Sequence, residues 1–112
     1  PGIAAKIHED FRALITDDSP ARPGEVIHLY ATGLGPVTQP QQTGVPASGP
    51  VPLVEQRPCT DGSTLLYAGL APGLIGYCQV DARLPARLTP SSHRLVCAGV
   101  GADIPTPPLP AP

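Results

Sequence analysis

The residues of this 112-residue chain with the means to do chemistry are three cysteines, three histidines and a few paired carboxylates. Cys59, Cys78 and Cys97 fall at two equal steps of 19 residues. An odd count allows one intramolecular bridge at most and leaves a thiol over. No two are close enough for a Cys-x-x-Cys motif, so a metal or catalytic role ranks behind buried apolar cysteines and behind a disulfide. If a bridge forms, the expected one uses Cys78, paired with Cys97 ahead of Cys59, because Cys78 shares a strand face with Val80, Ala82 and Leu84. His8, His28 and His93 sit on separate segments without ligand spacing. His28 is expected to be a hydrogen-bonded strand histidine whose change to Gln does little. Glu9-Asp10 and Asp17-Asp18 lack the alternating acidic loop that calcium needs and read as solvated turn carboxylates. Ser63, Ser91 and Ser92 have no nucleophile-elbow context, and the glycines of 33–37 lead into no Lys-Ser/Thr. No nucleophile, base and orienter can be assembled from the sequence, so an enzyme is not expected and neither is a cofactor.

Composition says what kind of scaffold carries these groups. Seventeen Pro and twelve Gly interrupt the chain, while 41% of residues are hydrophobic, so a core is affordable only from short strands joined by many turns. Aromatic residues are four, Phe11, Tyr30, Tyr67 and Tyr77, which leaves Leu, Ile, Val and Ala to fill the interior. A net charge of −2, one lysine and scattered arginines argue against a nucleic-acid or anionic-membrane partner. No apolar run approaches the ~20 residues of a membrane helix.

Along the chain, 3–10 and 11–16 read as short strands and 17–20 as a polar turn. Residues 25–33 alternate, with Val26, His28 and Tyr30 on one face and Ile27, Leu29 and Ala31 on the other. Pro23-Gly24 opens this strand, and Gly33, Gly35 and Pro36 bend the chain at its end. Residues 37–50 form a long uncharged loop; 51–70 suggest two strands around the hairpin dipeptide Asp61-Gly62. Gly69, Pro72 and Gly73 belong to the next turn. Residues 74–85 alternate again, 86–93 connect, and 94–101 read as the last strand. From Asp103 the prolines at 105, 107, 108, 110 and 112 exclude a central strand, so the expected division is a sandwich over 1–102 and a proline-rich tail over 103–112.

The stretches "ARPGEVIHLYATGLGPV" and "LLYAGLAPGLIGYCQVDARLP", with the opening "PGI", resemble the immunoglobulin-like domain at the C-terminus of many large secreted acidobacterial proteins, and more distantly IPT/TIG folds. The resemblance implies an all-β, immunoglobulin-like antiparallel sandwich, non-enzymatic, outside the cell or on its surface. It also implies one more alternating strand after 94–101, where this chain has its tail. The sandwich is then closed either by the tail folding back on Ile104 and Leu109, or by a strand from a neighbouring chain such as its N-terminal 2–10 segment. Three roles follow: a structural module contacting other domains of its parent or copies of itself, a filament subunit assembled by strand addition, and an adhesion or carbohydrate-binding module. Thr106, set among prolines, is a candidate for O-linked sugar in a secreted protein.

Overall fold

A computed structural model describes residues 2–39, 44 and 49–108. Pro1, most of the 37–50 loop and the end of the tail, with its expected Leu109 anchor, lie outside the described residues. The fold is all-β, a sandwich of two antiparallel sheets without a helix among the described residues. The strands are β1 (Gly2–Ile7), β2 (Val26–Thr32), β3 (Val51–Pro52), β4 (Thr64–Leu70), β5 (Cys78–Arg83), β6 (Ser92–Cys97) and β7 (Val100–Pro105). The larger sheet has the order β1-β2-β5-β4-β3; the smaller is the β6-β7 hairpin.

The period-2 pattern chooses the inner faces. Ile27, Leu29 and Ala31 of β2 and Cys78, Val80 and Ala82 of β5 are buried, and Leu95, Cys97, Ala102 and Ile104 of the small sheet share one core cluster with Ile27, Leu29, Val80 and Ala82. Because both central strands pair on both sides, β2 with β1 and β5, and β5 with β2 and β4, this part of the sheet has no exposed edge. Two of the expected turns take the same form. Glu25 N–H donates to the Arg22 carbonyl and Leu74 N–H to that of Ala71, with Pro second and Gly third in each turn. Gly24 and Gly73 lie at φ +75° and +80°, the left-handed value that a type II turn requires at that place.

Four expectations change. Residues 11–16 are not a strand: only isolated bridges form, Ile7 with Leu14 and Thr16 with Ser19, and Phe11 takes a left-handed φ of 61°. Asp61-Gly62 makes no two-residue hairpin. β3 does pair with β4, but through Val51 opposite Leu70, and 53–63 is a crossover that runs along the small sheet. The apolar stretch 94–101 is not one strand but the turn of a hairpin: Cys97 faces Val100, and Ala98 and Gly99 both have positive φ, the geometry of a type I′ turn. The missing last strand is therefore present in the chain itself. Asp103, Ile104 and Pro105, read as tail, belong to β7; Ile104 is fully buried, and the Pro105 carbonyl accepts from Ala21 N–H. Pro105 is tolerated because it sits at the strand's end on an edge, where a ladder donor is not needed.

The β3–β4 corner depends on a close approach. Tyr67 Oη accepts from Val51 N–H at 3.0 Å and donates to the Leu70 carbonyl at 2.8 Å, filling a ladder position with a side chain. A Cβ on Gly69 would lie 2.3 Å from the Val51 carbonyl oxygen and 2.6 Å from Tyr67 Oη. Gly69→Ala is expected to destabilise by about 1–3 kcal/mol through overpacking. A Cβ on Gly73 meets nothing within 4 Å, so Gly73→Ala is expected to cost only the backbone strain of a left-handed Ala, about 1 kcal/mol. Thermal melts of the two variants check the ranking.

Candidate functional site

All three histidines are held by carboxylates, and each pair joins segments far apart in sequence. His8 follows β1 and has Nδ1 2.6 Å from Glu25 Oε2, just before β2. Its Nε2 lies 2.9 Å from Ser19 Oγ and 2.9 Å from the Ser19 carbonyl oxygen. These groups border an open cavity of about 750 Å³ walled also by Asp18, Arg22 and Pro107. A serine, a histidine and a glutamate thus stand in the order of a nucleophile, a base and its orienter, a conjunction the sequence reading excluded. Ser19 was not among its candidate serines.

The second contact of Nε2 decides what the cluster does. A carbonyl oxygen only accepts, so an Nε2 that donates to the Ser19 carbonyl has no lone pair left for the Ser19 hydroxyl proton. The ring acts as a clamp between Glu25 and the 16–19 turn. Burial pushes the Glu25 carboxyl up, but donation from Arg22 N–H, His8 and Glu9 N–H outweighs it, and the group sits below its ordinary value of about 4.5.

His28 repeats the pattern on the outer face of the large sheet. Nδ1 is 2.6 Å from Asp81 Oδ1 on β5, directly opposite in register, and Nε2 is 3.3 Å from the Glu9 carbonyl. Gln79 donates to both oxygens of Asp81. Phe11 lies over the ring, centroids 3.5 Å apart at 15°, which uses its left-handed backbone to seal His28 at 4% exposure. His28 is thus a hydrogen-bonded strand histidine, as expected, and its ring also gives Phe11 a stacking face that a glutamine would lack.

The third pair stands beside the disulfide. Cys59 bonds to Cys97, with Cα atoms 3.9 Å apart, and Cys78 is free and buried. The preferred Cys78 bridge is thus corrected. Cys78 does point inward with Val80, but from the centre of the large sheet, whereas the crossover carries Cys59 alongside β6: Thr60 N–H donates to the Val96 carbonyl and Ala98 N–H to that of Arg57. Asp61 continues the cluster. It accepts from Ser63 Oγ at 2.7 Å and lies 2.8 Å from His93 Nε2, whose Nδ1 accepts from Thr89 N–H. Burial raises the Asp61 carboxyl, and the Ser63, His93 and Val96 bonds more than offset it, leaving it below 3.8.

The remaining predicted positions are structural. Gly33 and Gly35 follow β2 with φ of 72° and 120°. Thr106 is corrected as a sugar site: it is 4% exposed, and its hydroxyl donates to the Thr89 carbonyl at 2.6 Å, anchoring the end of β7. Compared with protein-family models, with curated proteins and with solved structures, the chain matches none.

The clamp sets a pH dependence whose sign follows from the lowered Glu25. Such a group contributes stability above its unfolded value, and that stability is lost as pH falls through the folded value. Wild type is expected to lose stability below about pH 4.5. Glu25→Gln is expected to melt lower at pH 7 and to lose less between pH 5 and 3. Calorimetric melts across that range check it, and parallel acid slopes in the two proteins would remove the clamp from the account.

Proposed function

We propose that this chain is a non-enzymatic structural module of the immunoglobulin-like class, belonging to a secreted or surface-displayed bacterial protein. The observation that carries the reading is the Cys59–Cys97 bond, since disulfides persist in oxidising compartments and staple small domains with limited cores. The titratable side chains support it from another direction. Each histidine is spent on holding two segments together, and the one serine–histidine–glutamate conjunction has its ring committed to a carbonyl. Its partners in this reading are neighbouring domains of its parent or further copies of itself. Strand-exchange assembly is the weaker reading, because the N-terminal donor it needs is already β1, paired with β2 from Gly2 to Ile7, and the acceptor position beside β6 is taken by β7.

The staple closes a loop of 38 residues, worth about 4 kcal/mol in the loop-entropy account. Reduction is expected to lower the melting temperature strongly. Peptide mapping without reductant is expected to return a 59–97 link and a free Cys78. Three free thiols in protein exported by its host, or an unchanged melt after reduction, contradict the reading. Turnover of ester or amide substrates that Ser19→Ala abolishes contradicts its non-enzymatic half.

A further inference from the structure

The environment of the disulfide does more than the bridge requires. Cys59 Sγ, Cys97 Sγ and a carboxylate oxygen of Asp61 lie within 4.8 Å of one another. From this arrangement we infer a metal site in the reduced protein: two thiolates and the Asp61 carboxylate hold one thiophilic divalent cation of the zinc class, and His93 positions Asp61.

The donors come from two elements whose alignment does not depend on the sulfur–sulfur bond. The backbone bonds Thr60 N–H to Val96 O and Ala98 N–H to Arg57 O flank the pair at 2.9 and 3.1 Å and keep Cys59 opposite Cys97 after reduction. A tetrahedral zinc with sulfur at about 2.3 Å and carboxylate oxygen at about 2.0–2.2 Å separates its ligand atoms by roughly 3.5–3.8 Å. The sulfurs have to part and the carboxylate to approach from the 4.8 Å within which the three donors lie. Asp61 is already aimed, its carboxylate bonded to Ser63 Oγ and His93 Nε2, which is the outer support that ligating carboxylates carry. Cys97 is fully buried and the Asp61 side chain nearly so, which shields the thiolates from water, while half-buried Cys59 leaves a way in.

The chemistry balances in two steps. A dithiol passes two electrons into the Cys59–Cys97 bond, which breaks; each sulfur takes a proton and the dithiol becomes a disulfide. The cation then displaces those two protons to solvent as two sulfur–metal bonds form. The crossover is pinned in either state, by a covalent bond or by a chelate.

The test begins with the whole chain reduced by dithiothreitol and desalted without oxygen. Cobalt(II) is added as a spectroscopic probe and displaced by zinc. One cobalt per chain with thiolate-to-metal charge-transfer absorption is expected, absent from the oxidised protein. Asp61→Asn is expected to weaken zinc binding by about tenfold or more, and Cys78→Ala to leave it unchanged. Zinc is expected to raise the melting temperature of reduced wild type and not of reduced Cys59→Ser. A reduced wild type without the cobalt band overturns the site. So does an Asp61→Asn that binds zinc as tightly as wild type, which is how an unfolded dithiol would behave.

Discussion

A five-stranded sheet offers more apolar face than a two-stranded sheet can cover. At about 4.8 Å between neighbours the large sheet spans roughly 19 Å from first strand to last, and the hairpin opposite it about 5 Å. The rest of the core must be closed by chain with no ladder of its own. Ile15, Ala21, Leu53, Leu84 and Ala98, all outside the strands, complete the buried cluster, with Leu34, Val37, Cys59 and Leu88 packed against it. The other features of the molecule follow from the need to hold these segments in place.

Each segment has its own fastening. The 8–21 stretch, which delivers Ile15 and Ala21, is gripped by His8 through Glu25 and the Ser19 carbonyl, and by Ala21 N–H on the Pro105 carbonyl. The 53–63 crossover, which delivers Leu53 and Cys59, is fixed by the disulfide, by two backbone bonds to the hairpin, and by Asp61 with His93. Charged bonds of this kind are worth more than neutral ones when they are partly withdrawn from water, and no buried side-chain polar atom is left without a partner among the described residues. Proline contributes by narrowing what these loops can do when unfolded.

This division explains what could be read from the sequence. β2 and β5, each paired on both sides, alternate in sequence, and their inward residues were legible one by one. The turns at Pro23-Gly24 and Pro72-Gly73 were legible because φ there admits little besides glycine. The last hairpin was hidden, since its turn uses Ala98 at φ 53° where Asn or Asp is the usual sign, inside a run of apolar residues. The disulfide and the histidine clamps were hidden for another reason. They join segments 17 to 53 residues apart in loops whose paths no periodicity describes, and a carboxylate facing a histidine leaves no mark in local spacing. One signal was available: each histidine has a near-strand or turn carboxylate partner in a chain with only nine Asp and Glu.

The position of the staple also has a mechanical side. β1 and β7 are the first and last strands, so tension applied through the flanking chain enters at these two edges. The covalent link between residues 59 and 97 withholds a sequence separation of 38 residues from extension, about 130 Å of contour at ~3.4 Å per residue. β4, β5 and β6 lie within that closed ring. A pulled molecule yields only the chain before Cys59 and after Cys97. The strands that can be drawn out are β1, β2 and β3 before the ring and β7 after it, ahead of a ring that cannot lengthen.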